Sequence, residues 1–203
     1  MFSFRKLVLI TTVCLPFLSA PAIAGFIDFE GDALGAKANG FTSVSAAGVH
    51  FTDTIGTGLQ VHTHQAIGAR NLLAFGDDAS RILINFDAAS SSLSMFFGND
   101  DACCSAAGDL AWLELFDGAT SVGLVSVVMN RNDLTDQSIS ASAPSFNSAV
   151  FWYGNAAGVP INLIEAIDNI EFSAANAIPE PSQLALIAVA LAGLGWARRR
   201  RSA

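Results

Sequence analysis

Positive charge is scarce in this 203-residue chain, which has 10 Lys and Arg against 18 Asp and Glu. Six of the ten crowd the two ends, as Arg5, Lys6 and Arg198, Arg199, Arg200 and Arg201. Only Lys37, Arg70, Arg81 and Arg131 serve everything between. With Glu180 counted in the C-terminal segment, the middle carries four basic and seventeen acidic side chains, a net charge of −13. A surface this acidic repels a phosphate backbone, so nucleic acid is no expected partner. It suits an exported protein that stays soluble or gathers cations.

Catalytic signatures are missing as well. The chain has no Gly-x-Ser-x-Gly elbow, no His-Glu-x-x-His and no glycine-rich phosphate loop. The expectation is therefore a non-enzymatic protein. A glycosidase needs only two carboxylates at the right separation, so a secreted polysaccharide hydrolase is the alternative. A purely structural matrix protein is the third reading. Histidine is limited to His50, His62 and His64. No carboxylate lies close to them in sequence to orient a ring, so they read as surface residues. Cysteine is limited to Cys14, Cys103 and Cys104. The last two are adjacent, with no second pair to complete a zinc site and no Cys-x-x-Cys spacing. In an oxidising compartment they are expected to form a vicinal disulfide that stiffens a loop, with pairing between chains as the alternative. There is no internal repeat and no convincing amphipathic helix; 163–166 is at most a helical turn.

The ends carry what the middle lacks. Arg5 and Lys6 precede an apolar run from Leu7 to Leu18, and Ala22-Ile23-Ala24 follows as a small-x-small site. That three-part plan is a secretory signal peptide, a helix cleaved after Ala24 by signal peptidase. At the other end Pro179-Glu180-Pro181 precedes an uncharged stretch, Leu184 to Ala197, that closes on Trp196 and four arginines. The stretch is short for a membrane span but reads as a transmembrane helix. Trp196 suits the headgroup region, and the arginines hold their end in the cytoplasm. The domains read as 1–24, 25–177 and 178–203.

Pro-Glu-Pro, a short apolar helix and a terminal arginine cluster together resemble the PEP-CTERM sorting signal. The resemblance covers about 25 residues. It implies that an exosortase recognises the tail and cuts near Pro179, Glu180 and Pro181. It also implies a Gram-negative host that makes exopolysaccharide, transient lodging in the inner membrane, and delivery to the cell surface or the extracellular matrix of a biofilm. The core is then expected to bind or organise exopolysaccharide.

The middle segment alternates short apolar and polar runs, broken by Gly, Asp and Asn. Strands are expected at 26–29, 49–52, 72–75, 82–86, 93–97, 110–116, 122–129, 150–153 and 167–172. Period two is plain in Ile82/Ile84/Phe86 and Leu93/Met95/Phe97. Asp117-Gly118 between two strand patterns reads as a hairpin turn. These signals predict an all-β chain, a β-sandwich of jelly-roll type. Phe26-Ile27-Asp28-Phe29-Glu30-Gly31 and Ile167-Asp168-Asn169-Ile170-Glu171-Phe172 resemble the first and last strands of jelly-roll carbohydrate-binding modules. That resemblance implies that these strands lie side by side and hold a structural Ca²⁺ between early acids and a late aspartate. Asp28, Glu30 and Asp168 are the candidate ligands, hard oxygens of the kind Ca²⁺ takes. Asn99, Asp100, Asp101 and Asp109 mark a solvated loop, and Trp112, Trp152 and Tyr153 are a candidate sugar-stacking platform.

Overall fold

The computed structural model describes residues 24–56, 58–63, 68–175 and 190–191. Ala22, Pro179, Glu180, Pro181, Arg198, Arg199, Arg200, Arg201 and His64 lie outside the described residues, as do nearly all of the expected signal and tail helices. Among the described residues no helix is long and apolar enough to cross a membrane.

The described chain is all β, with eleven antiparallel strands. In order they are β1 (Ala24–Ile27), β2 (Gly35–Lys37), β3 (Phe41–Thr42), β4 (Val49–Asp53), β5 (Leu59–His62), β6 (Asn71–Ala74), β7 (Ile82–Gly98), β8 (Leu110–Asp117), β9 (Thr120–Val128), β10 (Gln137–Gly154) and β11 (Glu165–Ala174). Hydrogen bonds join them into one sheet along the path β2-β5-β6-β11-β7-β10-β8-β9, with β1 on β11 and β4 on β7.

One sheet becomes two layers because β7 and β10 fold over. The expected strands 82–86 and 93–97 are the two arms of β7, and the exposed stretch Asp87–Ala89 lies between them. On one arm Ile82, Ile84 and Phe86 are buried, on the other Leu93, Met95 and Phe97. The buried set moves from even to odd positions across the bend, which a single flat strand of period two forbids. In β10 the pairing with β7 breaks between Ser142 and Ser148. Pro144, which has no N–H to give a ladder, sits in that break. Ring contacts confirm the closure. Phe97 is paired along the ladder with Gln137, and Phe151 with Ile82. Their centroids nevertheless lie 5.8 Å apart, so the two ends of the ladder face each other across the core. Phe86 meets Phe172 in the same way at 5.4 Å.

The core runs from Ile27 to Ile170 and draws on both layers. Among the described residues every strand lies within Ala24–Ala174. Its open end is closed by polar bonds between layers. The Tyr153 hydroxyl donates to the Gly98 carbonyl, and Ser80 Oγ donates to Glu165 Oε2 at 3.3 Å. Glu165 and Tyr153 are fully buried. Burial pushes the Glu165 carboxyl well above the ordinary range, which favours its neutral form. Burial, with the nearby acids Glu165 and Asp100, also pushes the Tyr153 phenol up.

Three expectations change. The first strand stops at Ile27 rather than Phe29, because Phe29 takes a left-handed φ of 56° and the chain turns. Asp28 and Glu30 therefore belong to a turn, not to one face of a strand. No helical turn forms at 163–166; Glu165 already begins β11. The serine- and alanine-rich half of β10 carries too little apolar signal to announce itself, yet it is a strand. The Asp117-Gly118 hairpin is present, with Asp117 opposite Thr120 and Gly118 at φ 59°, a value that suits a residue without Cβ.

Candidate functional site

Strand alternation puts Leu93, Met95, Ile139 and Ala141 into the core, so their neighbours in sequence must face out. Apart from Phe96, those neighbours are serines. Across the sheet, Ser140 sits opposite Ser94, Ser94 opposite Glu171, and Glu171 opposite Phe26. The next row runs Ser142–Ser92–Ser173, and on the other side Ser138 faces Phe96. Strands are about 4.8 Å apart, and successive outward residues on one strand are about 6.8 Å apart. The result is a grid of outward hydroxyls.

This face is hollowed rather than flat. A groove of about 680 Å³ lies over β1, β11, β7 and β10, flanked by Val125 of β9. An adjoining hollow of about 420 Å³ shares Phe26, Ser94, Ser140 and Glu171 with it and adds Phe96, Ser138 and Asn169. Phe26 is 47% exposed and offers an apolar ring at the groove's edge. Gly25 is needed beside it: a Cβ there would stand 2.1 Å from the Phe172 ring, which lies across β1 as part of the lining. Glu171 is exposed and has no hydrogen bond or ion pair among the described residues. The composition pointed to a soluble acidic protein but not to this face. The signal was the Ser-x-Ser-x-Ser alternation at Ser90–Ser94 and Ser138–Ser142, legible only once those stretches are known to be strands.

The aromatic trio expected to carry sugar does not present a platform. Tyr153 is inside the core at 0% exposure, and Trp152 is 4% exposed. Trp112 does face outward, as its phase against Leu113 and Leu115 predicts, and it stacks on Trp152 at 5.9 Å. The segment after β10 roofs the pair: Trp112 Nε1 donates to the Asn155 carbonyl and Trp152 Nε1 to the Gly158 carbonyl. Arg81 lies 4.9 Å from the Trp152 ring.

β1 pairs with β11, so the first and last strands are side by side as the second resemblance implies. The candidate calcium ligands around that pair are separately engaged. Asp28 accepts from the Glu30 N–H, and Glu30 accepts from the Ala69 and Arg70 N–H groups. Asp168 is buried and accepts from the Asn169 N–H at 2.8 Å. Their oxygens have the chemistry a hard cation needs, but the three are not gathered into one set. Among the described residues the trio with ligand atoms within 4.8 Å of one another is Asp101, Cys103 and Cys104. Cys103 and Cys104 are joined as a vicinal disulfide in the loop after β7. Arg131 braces that loop, donating to the Ala102 and Ser105 carbonyls. Asp100, expected in solvent, is buried and accepts from the Arg131 N–H. Asp109 accepts from the Ala106 N–H within the same loop. His50 pairs with an acid distant in sequence: Asp87, 37 residues on, at 3.0 Å.

The chain carries a PEP-CTERM protein-sorting motif at residues 177–201. The motif implies an exported protein, processed by an exosortase and bound for the cell surface or the extracellular space. No curated protein matches the chain. Among solved structures, the CBM22-1 xylan-binding domain of Xyn10C from Paenibacillus barcinonensis is 14% identical with a TM-score of 0.41, over 75% of this chain and 94% of that one. CsCBM6-3 from Clostridium stercorarium, solved with cellobiose, is 12% identical with a TM-score of 0.36, over 60% and 91%. The arabinose-bound α-L-arabinofuranosidase MgGH51 is 15% identical with a TM-score of 0.43, over 73% of this chain but only 26% of that enzyme.

Proposed function

We propose that the PEP-CTERM chain is a surface or matrix protein whose groove over β1, β11, β7 and β10 holds exopolysaccharide without cleaving it. The observation that carries this reading is the serine grid with Phe26 at its edge. Hydroxyls donate and accept, as sugar hydroxyls do, and an exposed ring stacks on the apolar face of a pyranose. Glycoside hydrolysis uses two carboxylates about the scissile bond. Glu171 is the one acid among the residues lining the groove, and the raised-pKa carboxyl of Glu165 is sealed between the layers. That supports binding over the hydrolase alternative. A glycan array probed with residues 24–175 tests it. Binding without release of reducing sugar supports the reading, turnover abolished by Glu171→Gln replaces it with a hydrolase, and no binding leaves a purely structural protein.

The route follows the two ends. Signal peptidase removes residues 1–24, the apolar helix lodges in the inner membrane, and exosortase cuts near Pro179-Glu180-Pro181 in a Gram-negative host. Two prolines keep that stretch off-helix and open to a protease. Intact mass spectrometry of the surface protein is expected to show no Trp196 and no arginine cluster; a bulk population that keeps them overturns this. Calcium at Asp28, Glu30 and Asp168 stays a proposal supported by the β1–β11 pairing. It requires the three carboxylates to draw together, and melts with calcium and with chelator decide it: coincident curves remove the site.

A further inference from the structure

Resting on that reading of the groove, we propose that it selects its glycan by charge. It excludes uronate and sulfate polymers and favours a glycan bearing free amines, with Glu171 as the residue that sets the preference.

The four cations of the core are all placed elsewhere. Lys37 lies 5.7 Å from the Phe41 ring, Arg70 donates to the Glu30 and Asp32 carbonyls, Arg81 covers Trp152, and Arg131 braces the disulfide loop. None lines the groove. Recognition of a carboxylate or sulfate ester calls for Arg or Lys, as a bidentate fork or a point charge. A polyanion entering here meets no Arg or Lys side chain, only the single α-ammonium that cleavage after Ala24 leaves at Gly25, while the core around it carries seventeen acids to four bases. Bringing like charge against like charge without a counter-ion is a repulsive specificity element.

What the groove does present is a single carboxylate at the centre of a ladder row, between Ser94 and Phe26. It has no partner among the described residues, whereas the exposed Asp87 is held by His50 and Asp136 by Asn130 and Asn132; what sets it apart from other open acids such as Asp117 is its place in the groove. A hexosamine ring resting on Phe26 would carry its ammonium within reach of the next residue in the row. The contact is open to water, so the gain is that of an exposed ion pair, about three- to fivefold in affinity and smaller at high salt.

The test uses residues 24–175 and three oligosaccharide probes of matched length: chitosan (free amine), chitin (neutral) and oligogalacturonate (anionic). Affinities are measured at low and high salt. The expected order is chitosan above chitin, with no oligogalacturonate binding. Glu171→Gln is expected to bring chitosan down to chitin and leave chitin unchanged. Asp117→Asn, which removes one charge at the β8–β9 hairpin outside the groove lining, is expected to keep the preference. Oligogalacturonate bound as well as chitin overturns the charge selection while leaving the groove a glycan site. A chitosan preference that survives Glu171→Gln assigns it to the general acidity of the surface and removes Glu171 from the role. Binding of none of the three overturns both this inference and the groove itself.

Discussion

The two arms of β10 are one strand in two surroundings. In the arm Ala149–Gly154 the outward Trp152 is stacked under Trp112 and roofed by the Asn155–Gly158 segment, so both faces are dry. In the arm Gln137–Ser142 the inward Ile139 and Ala141 are buried while Ser138, Ser140 and Ser142 stand open over a groove. A face that buries aromatics needs a roof. A face of hydroxyls is stable in water and stays free for a ligand that brings its own hydroxyls. The contrast separates the part of the sandwich that supplies stability from the part available for binding.

The sharpest way to break the contrast is to attack the dry arm. Phe151→Ala empties a site between the layers and is expected to cost about 3–5 kcal/mol, read as a lower urea midpoint at unchanged m-value. Tyr153→Phe keeps the ring but leaves the buried Gly98 carbonyl without its donor, at about 1–3 kcal/mol. In the wet arm the effects should reverse. Phe26→Ala is expected to lower glycan affinity about tenfold, equivalent to ~1.4 kcal/mol of binding, while the melting temperature moves little. A Phe26→Ala variant that loses stability and keeps binding would place the ligand elsewhere.

The smallest effect is one of pH. Glu165 has a folded pKa raised above its unfolded value of 4.5, because burial disfavours the charged form. The neutral acid therefore favours the folded state. Its contribution is complete below pH 4.5 and is lost as pH climbs through the folded pKa. Glu165→Gln is neutral at every pH, so thermal melts of wild type and variant should diverge as pH rises, with the variant gaining. Parallel profiles would mean that the carboxyl is ionised at no cost and that the open end admits water.

Most of the strand positions were legible because Ile82/Ile84/Phe86, Leu93/Met95/Phe97 and Leu110–Phe116 bury one face at period two. β2, β3 and β5 were missed. They run two to four residues, too short for a period to show. The first half of β10 was missed because Ser-Ile-Ser-Ala-Ser alternates hydroxyl with a small apolar group, and its pattern means strand only once β7 lies beside it. The groove was missed for the same reason. Trp152 and Tyr153 were visible as aromatics, but their cover comes from residues a bend away.

What the sequence by itself determined is the address and the material. Pro179-Glu180-Pro181, the apolar run and the arginines mark the PEP-CTERM tail because targeting signals are read as linear segments. The short alternating runs and the acidic balance determined an all-β, negatively charged domain, because side-chain direction along a strand follows from backbone geometry alone. The tertiary structure decided what those strands build. It folded β7 and β10 over, set Phe97 against Phe151, sealed Glu165 between layers, and aligned Ser140, Ser94, Glu171 and Phe26 in one row from four strands. Such a row depends on register between segments far apart in the chain. Register is settled by which faces are buried against each other, and that is a property of the packed whole.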